Sequence, residues 1–367
     1  MIKLGECLTI KHGWAFKGEF FAESGEQSIL TPGNFYEAGG FKYNDERERY
    51  YTGEYPHEYL CKKGDLIVAM TEQAAGLLGS TAIVPKDNMY LHNQRIGLIT
   101  CDEKHITKMF AYYLFMTKSV REQISRTSSG TKVKHTSPEK IYDVEVSLPD
   151  IPTQKKIAHF LWTIDCKIRN NIQINDNLQH QMRLYFEQIM AKAHLGHLAG
   201  KMTTVQCLTD VITGKEDANF SVINGDYKFF TCSNDVLRCN KYAFDSSSIL
   251  IAGNGDFNVK HYSGKFNAYQ RTYVLTPPKE YYAILYLSSL YHINSLKSSS
   301  AGSIVKFVTK GDIESIPVFR PDDITYLNNL NNLILAQEQK SLETEKLLQL
   351  RDWLLPMLMN GQATISD

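Results

Sequence analysis

Neither sign of charge is in surplus: forty Lys and Arg balance forty Asp and Glu in 367 residues. The strongly basic balance that often marks a nucleic-acid binder is missing, and so is the acidic surplus of a solvating tail. Long apolar runs are missing too. None approaches the roughly 20 residues that cross a bilayer, and the opening MIKLGECLTIKHGW has no export-signal core. A soluble, cytoplasmic protein with no membrane partner is expected. Cysteine is sparse, seven in all, an odd number without framework spacing. Cys232 and Cys239 stand nearest each other, but they lack CxxC spacing and an HxxxH partner. Free thiols and no metal are expected.

What the chain does contain is a repetition. GTKVKHTSPEKIYDVEVSLPD at 130–150 returns as GSIVKFVTKGDIESIPVFRPD at 302–322, with seven of twenty-one positions identical and no gap. Such self-similarity points to a duplication. Followed outward, Cys7-Leu8-Thr9 matches Cys207-Leu208-Thr209 at an offset of 200, LIVA at 66–69 matches ILIA at 249–252 at 183, and Gln94-Arg95 matches Gln270-Arg271 at 176. Two homologous domains are implied, with shorter loops in the second.

Each copy is built from short apolar and β-branched runs: DLIVAM, STAIVP and RIGLIT in the first, SILIAG, QRTYVLT and SIVKFVT in the second. Turn formers such as Gly64-Asp65 and Pro277-Pro278 separate them, which predicts strands. MFAYYLFMTKSVREQI and YYAILYLSSLYHINSL predict one helix in each copy. The expected class is α+β.

After each copy the pattern becomes one long helix. Thr153 to Ala191 contains no Pro or Gly, and Ile157, Leu161, Ile164, Ile168, Asn171, Asn175, Leu178, Met182, Tyr185 and Ile189 trace an a/d seam. Asp150 is a candidate cap, with Pro152 in the first turn and Gly196 and Gly200 closing the segment. The second helix, about Asp322 to Leu355, carries Gln337, Ser341 and Thr344 in the middle of its track. Since an apolar stripe must be covered, an antiparallel coiled coil of the two helices is expected, with Asn171 and Asn175 setting its register. The alternative is that each helix docks on its own domain. The boundaries read as 1–149, 150–196, 197–320 and 321–367. A forty-residue helix is roughly 60 Å long, so a rigid pair would space two similar mixed α/β domains like a ruler.

The distribution of charge restores part of the case for DNA. Arg121 to Lys140 holds five Lys or Arg and two Glu, besides His135; Ser295 to Lys310 holds Lys297, Lys306 and Lys310 and no acid. Lys132, Lys134 and Lys306 follow an SSG or SAG turn, where lysine can meet phosphate or merely solvate a loop. Gln94-Arg95 and Gln270-Arg271 suit bidentate contacts to adenine and guanine, or structural hydrogen bonds at the start of a strand. His92, Asn93, Lys260, His261 and Tyr269 lie alongside.

LPDIPTQKKIAHFLWTIDCKIRNNIQIN at 148–175 closely resembles the central region of specificity subunits of type I restriction-modification systems: Pro149, Pro152, Gln154 and the Asp165-to-Ile168 step carry the likeness. LGECLTIKHGWAFKGEFF and VQCLTDVITGK are similar to the openings of that family's target recognition domains, and GTKVKHTSPEKIYDVEVSLP to their ends. The resemblance covers essentially the whole chain. It implies a non-catalytic subunit whose two target recognition domains each read half of a split site in double-stranded DNA. It implies too that the long helices set the gap and dock methyltransferase subunits, two being expected, while restriction subunits join that core. S-adenosylmethionine then belongs to the methyltransferase and no cofactor to this chain. The second copy departs from the pattern in having Tyr326 where glutamine is expected, which bears on how its helix docks.

Two other classes compete with this one. The first is an interaction scaffold whose paired helices bind proteins and whose domains leave DNA alone. The second is an enzyme. Asp150 and Asp165-Cys166-Lys167 match a loose nuclease pattern, but on one helix they stand roughly 22 Å apart, too far to share a metal ion. Gly253-Asn254-Gly255 is a lone GxG, and Thr276-Pro277-Pro278-Lys279 has the wrong ends for a methyltransferase tetrapeptide.

Overall fold

The computed structural model describes residues 1–43, 48–130, 133–255, 257–299 and 307–365. They pack into two compact units, one of Met1–Lys167 with Leu347–Asp367, the other of Ile168–Lys346. Both long helices are therefore divided between units.

In chain order the first unit carries β1 (Ile2–Lys3), β2 (Leu8–His12), β3 (Phe21–Ala22), β4 (Ser28–Ile29), β5 (Tyr50–Tyr51), β6 (Leu66–Ala69), β7 (Thr81–Ile83), β8 (Tyr90–Leu91) and β9 (Ile96–Cys101). Then come α1 (Lys108–Leu114), α2 (Lys118–Thr127), α3 (Pro138–Tyr142), β10 (Glu145–Val146) and the start of α4 (Ile151–His194). One sheet, antiparallel throughout, has the order β2-β9-β6-β7; a mixed sheet has the order β3-β5-β4-β8, with β4 and β8 parallel; and β1 pairs with β10. Strand β6 shows why LIVA reads as unbroken apolar sequence. Leu66, Val68 and Met70 face the core under α1 and α2, while Ile67 and Ala69 face a second core with Leu30, Phe35 and Tyr90. Alternate side chains leave opposite faces of a strand, and here both faces are covered.

The helix expected over 109–124 is broken in two. Thr117 has extended backbone (φ −68°, ψ 144°) and its hydroxyl donates to the Leu114 carbonyl at 2.7 Å, which ends α1 before α2 begins.

The second unit repeats the plan with β11 (Gly200–Thr204), β12 (Val211–Thr213), β13 (Tyr227–Phe230), β14 (Leu237–Cys239), β15 (Phe244–Ala252), β16 (Val259–Ala268) and β17 (Thr272–Leu275). These precede α5 (Tyr282–Ser299), α6 (Lys310–Glu314), β18 (Pro317–Pro321) and α7 (Thr325–Met359). Its main sheet runs β12-β17-β15-β16-β13-β14, and β11 pairs with β18. Again Ile249 and Ile251 face one core and Leu250 the other. Of the expected strand SIVKFVT, residues 303–306 lie outside the described residues.

Asp150 caps α4: its Oδ1 accepts the Thr153 N–H at 2.9 Å, and that bond, made to side chain and backbone, holds its carboxyl below the usual range. At the other end Gly196 (φ 71°) lets His197 N–H return to the Lys192 carbonyl, the six-to-one bond of a Schellman end. The second helix begins later and ends later than expected. Asp323 accepts the Thr325 N–H at 2.9 Å, and the helix runs through Pro356 to a Gly361 end (φ 69°).

Inside the second unit the two helices run antiparallel, since rising numbers on α4 meet falling numbers on α7. Asn171 Nδ2 donates to Glu343 at 3.1 Å, Asn175 Nδ2 to the Ser341 hydroxyl at 2.9 Å, and Tyr185 stacks on Tyr326. The polar stretch of α7 thus faces the two seam asparagines, while Leu327, Leu330 and Ile334 join Met182, Phe186 and Ile189 in the core. Within the first unit Leu358 and Met359 share a core with Ile157, Ala158 and Leu161. In each unit, therefore, the start of one helix and the end of the other pack on the same domain.

Candidate nucleic-acid interface

Gln94-Arg95 and Gln270-Arg271 occupy the same two-residue turn in both units. They do not begin a strand but precede one, the opposite side of the turn being held by backbone. In the first unit Gln94 N–H donates to the Trp14 carbonyl (3.1 Å), Ile96 N–H to Asn93 (2.9 Å) and Met70 N–H to Arg95 (2.9 Å). In the second, Gln270 N–H donates to Glu216 (3.0 Å), Thr272 N–H to Tyr269 (2.8 Å) and Gly253 N–H to Arg271 (2.9 Å). All four side chains are exposed. Because the main chain supplies the structural bonds, the amide and guanidinium groups are left to face outward.

The turn fits only because Gly13 and Gly214 lie against it. A Cβ on Gly13 would collide with the Asn93 carbonyl, and one on Gly214 with that of Ala268. Beside Gly13 is a residue that reading along the sequence does not single out: Trp14, 42% exposed, bridges to Asn93 in parallel. The second unit bridges Glu216 to Tyr269 there, so the aromatic has moved to the other partner. Trp14 stands far from Gln94 in sequence, and only the repeated glycine hints at their meeting.

His92 fixes the first turn from beneath. It is wholly buried, its Nε2–H donates to the Ile96 carbonyl at 2.8 Å, and its Nδ1 meets no hydrogen-bond partner among the described residues. Burial pulls its pKa down to about 4, so the ring is neutral. Its counterpart at the same offset is Ala268. There Cys232 Sγ contacts the Arg271 carbonyl at 3.3 Å, and Asn258 Nδ2 donates to the Cys232 carbonyl at 2.8 Å.

The end of each repeat is drawn to the same corner. Thr136 N–H donates to the Met70 carbonyl (2.9 Å) as Val308 N–H does to Gly253 (2.8 Å). In the first unit Ser129 and His135 exchange both backbone bonds, closing a hairpin whose Gly130 has φ 106° and leaves no room for a Cβ beside the Val133 carbonyl. Lys134 is exposed on it, within 3.9 Å of Glu72 and 3.3 Å of the Ser125 hydroxyl; His135 Nδ1 lies 3.1 Å from the Thr71 hydroxyl. Lys132 and Lys306 lie outside the described residues. Lys260 donates at 2.5 Å to both the Ser233 carbonyl and Asn258 Oδ1, which ties it to the loop before β14. His261 is not at the surface rim: its Nδ1 is 2.9 Å from Glu338, which also accepts from Tyr282 at 2.9 Å.

One further residue must be taken off the basic stretch. Arg121 turns inward, and desolvation lowers its pKa to about 10. In the second unit the corner is open where the first is filled. Met70 is buried, with Gly97 giving it space, but Gly253 and Tyr273 stand at those places, leaving a cleft of about 450 Å³ lined by Asn254, Gln270, Arg271, Phe307 and Thr309.

Residues that suggest catalysis in the sequence have structural partners. Asp165 is buried, accepts the Tyr113 hydroxyl at 2.7 Å and pairs with Arg351 at 3.2 Å. The Gly253 N–H donates to the Arg271 carbonyl and its own carbonyl accepts the Val308 N–H. Thr276 binds the Ser248 hydroxyl at 2.9 Å. No group of three His, Cys, Asp or Glu among the described residues is placed to hold a metal ion, and no described helix is long and apolar enough to cross a membrane.

The family model for the type I restriction modification DNA specificity domain matches residues 1–180 and 208–349. The chain is 38% identical over 164 residues to the type I restriction enzyme EcoDI specificity subunit of Escherichia coli, covering 43% of this chain and 37% of that protein. It is 26% identical over 196 residues to the MjaVIII specificity subunit of Methanocaldococcus jannaschii, covering 52% and 44%. The aligned parts thus span less than half of these relatives. The crystal structure of a type I restriction-modification system S subunit from M. genitalium has the same fold, with a TM-score of 0.67 at 16% identity over 99% of this chain and 96% of that one.

Proposed function

Because the chain belongs to the type I restriction modification DNA specificity domain family, we propose that it reads a bipartite site in duplex DNA, one half with each unit, and carries no chemistry of its own. The observation that carries this reading is the twin Gln-Arg turn, built by the same three backbone bonds in both units. In the major groove Arg pairs bidentately with guanine and Gln with adenine, each good pair being worth about 1–3 kcal/mol of discrimination. A turn whose backbone is already satisfied loses little freedom when it docks. Lys134, with Lys132 and Lys306, supplies the sequence-independent phosphate term.

The long helices act as the spacer and as the seat for methyltransferase subunits, two per chain, with restriction subunits completing the assembly in the cytoplasm. S-adenosylmethionine belongs to the methyltransferase. The target recognition domains then correspond to 1–149 and 197–320, and the helices to 150–196 and 321–367. Tyr326 does not disable the second helix on its own domain, since Asn331 makes the bonds that the missing glutamine would make. Its Oδ1 accepts the Ala283 N–H at 3.1 Å and its Nδ2 donates to the Glu280 carbonyl.

Mapping methylated adenines in cells with and without the gene tests this directly. The expected result is one motif with two fixed halves and an unread gap. Gel shifts of randomised duplexes with the chain and its methyltransferase should select the same motif; absence of any sequence preference would overturn the reading.

A further inference from the structure

We propose that the β6–β7 connection of the first unit, centred on Gln73, is a second base-reading element that distinguishes its half-site, and that Arg121 is the residue positioning it. This rests on the DNA-reading function proposed above.

The two units differ most informatively here. Val68 pairs with Thr81 and Ile251 with Val259, so twelve residues lie between the paired positions in the first unit and seven in the second. The longer connection leaves β6 at the corner already described. Met70 is bonded to Arg95 and Thr136, and Glu72 N–H donates to the Lys134 carbonyl at 2.9 Å. The chain therefore passes between the Gln-Arg turn and the lysine hairpin immediately before it reaches Gln73. Gln73, Ala74, Ala75 and Gly76 are all exposed. One long amide among small residues lets a backbone come close to a groove while offering a donor and an acceptor at one place.

An exposed loop of this length would ordinarily be loose, but this one is fastened from below. Arg121 Nε donates to Phe115 O (2.6 Å), Nη1 to Gly76 O (3.0 Å) and Leu78 O (2.8 Å), and Nη2 to Glu37 O (3.0 Å). No carboxylate pairs with it among the described residues. A largely buried cation satisfied by four carbonyls is a poor way to gain stability but a good way to fix three chain segments at once. Gly76 (φ 86°) and Gly79 (φ 77°) give the loop its bends, and Glu72 Oε1 accepts the Gly76 N–H at 3.0 Å. The loop is thus held at both its ends and its apex, with Gln73 outward.

The test is selection from randomised bipartite duplexes by the full chain assembled with its methyltransferase, comparing wild type with Gln73→Ala, Gln73→Arg and Arg121→Lys. Gln73→Ala should relax one position of one half-site about tenfold, within the range of a single bidentate contact. Gln73→Arg should change the preferred base there, and Arg121→Lys should blur the same position, with the other half untouched. A merely structural loop would not alter base identity. Wild-type preferences in all Gln73 variants, or altered preferences in both halves, would overturn the proposal; a wild type that selects no sequence would instead overturn the function on which it rests. Gln73 is exposed, so its variants decide the matter even if Arg121→Lys fails to fold.

Discussion

Arg351 on α7 and Asp165 on α4 form an ion pair of 3.2 Å with side chains only 16% and 9% exposed. Tyr113 on α1 donates to the same carboxylate, so one buried acid ties both helices to the first domain. Removing one partner from such a pair strands the other's charge. Arg351→Ala should lower unfolding stability by about 3–5 kcal/mol, read as a shift in the urea midpoint. Asp165→Asn should cost less because the Tyr113 contact survives. If both leave the midpoint unchanged, the pair does not anchor the helices.

Gln154 and Asn331 predict a parallel pair of losses. Gln154 is fully buried; its Oε1 accepts the Thr107 N–H at 2.9 Å and its Nε2 donates to the His105 and Pro149 carbonyls. Alanine at either position leaves a helix-start N–H without its partner, a penalty of about 1–3 kcal/mol. Differential scanning calorimetry should show comparable losses from Gln154→Ala and Asn331→Ala, and almost none from Tyr326→Phe. A large effect of Tyr326→Phe would mean that the glutamine's role had passed to Tyr326 instead.

His92 makes stability depend on acid. Its folded pKa of about 4 lies below its ordinary value near 6.5, because burial disfavours the charged ring and Lys11 and His12 add positive charge nearby. Above pH 6.5 neither folded nor unfolded state is protonated there, and the full stability is present. Between 6.5 and 4 only the unfolded chain takes up the proton, so this residue's contribution falls by of order 3 kcal/mol and then levels off. His92→Phe should flatten that part of the stability–pH curve. An unchanged slope would exclude His92 as its source.

The twin turns predict a clean division of labour. Arg95→Ala should relax base preference in one half-site and Arg271→Ala in the other, each by about 1–3 kcal/mol. Lys134→Ala should weaken binding to all duplexes alike and reduce the salt slope by about one. A salt titration of binding by anisotropy separates the two behaviours. A lysine variant with the wild-type slope would show that Lys134 meets no phosphate.

Much of this architecture is visible in one dimension because it obeys local periodicities. The a/d spacing from Ile157 to Ile189 forces an amphipathic helix, the runs LIVA and ILIA force strands covered on both faces, and Thr136 and Val308, seventh in each duplicated segment, bond to corresponding corners. Gly13 and Gly214 stand one and two residues before the bridging residues Trp14 and Glu216, and in each copy a close approach to the turn excludes a Cβ.

Other features depended on contacts between residues distant along the chain, which no spacing rule encodes. Trp14 meets Asn93, Arg121 meets Glu37 and Gly76, and Asn331 takes over for an absent glutamine five residues from its expected place. The sequence by itself determined two strand-rich domains, two long helices and the repeated Gln-Arg dipeptide, since periodicity and repetition are local properties. Only the tertiary structure decided which basic residues turn outward, because a guanidinium such as that of Arg121 is directed by the carbonyls that surround it and not by its neighbours in the chain.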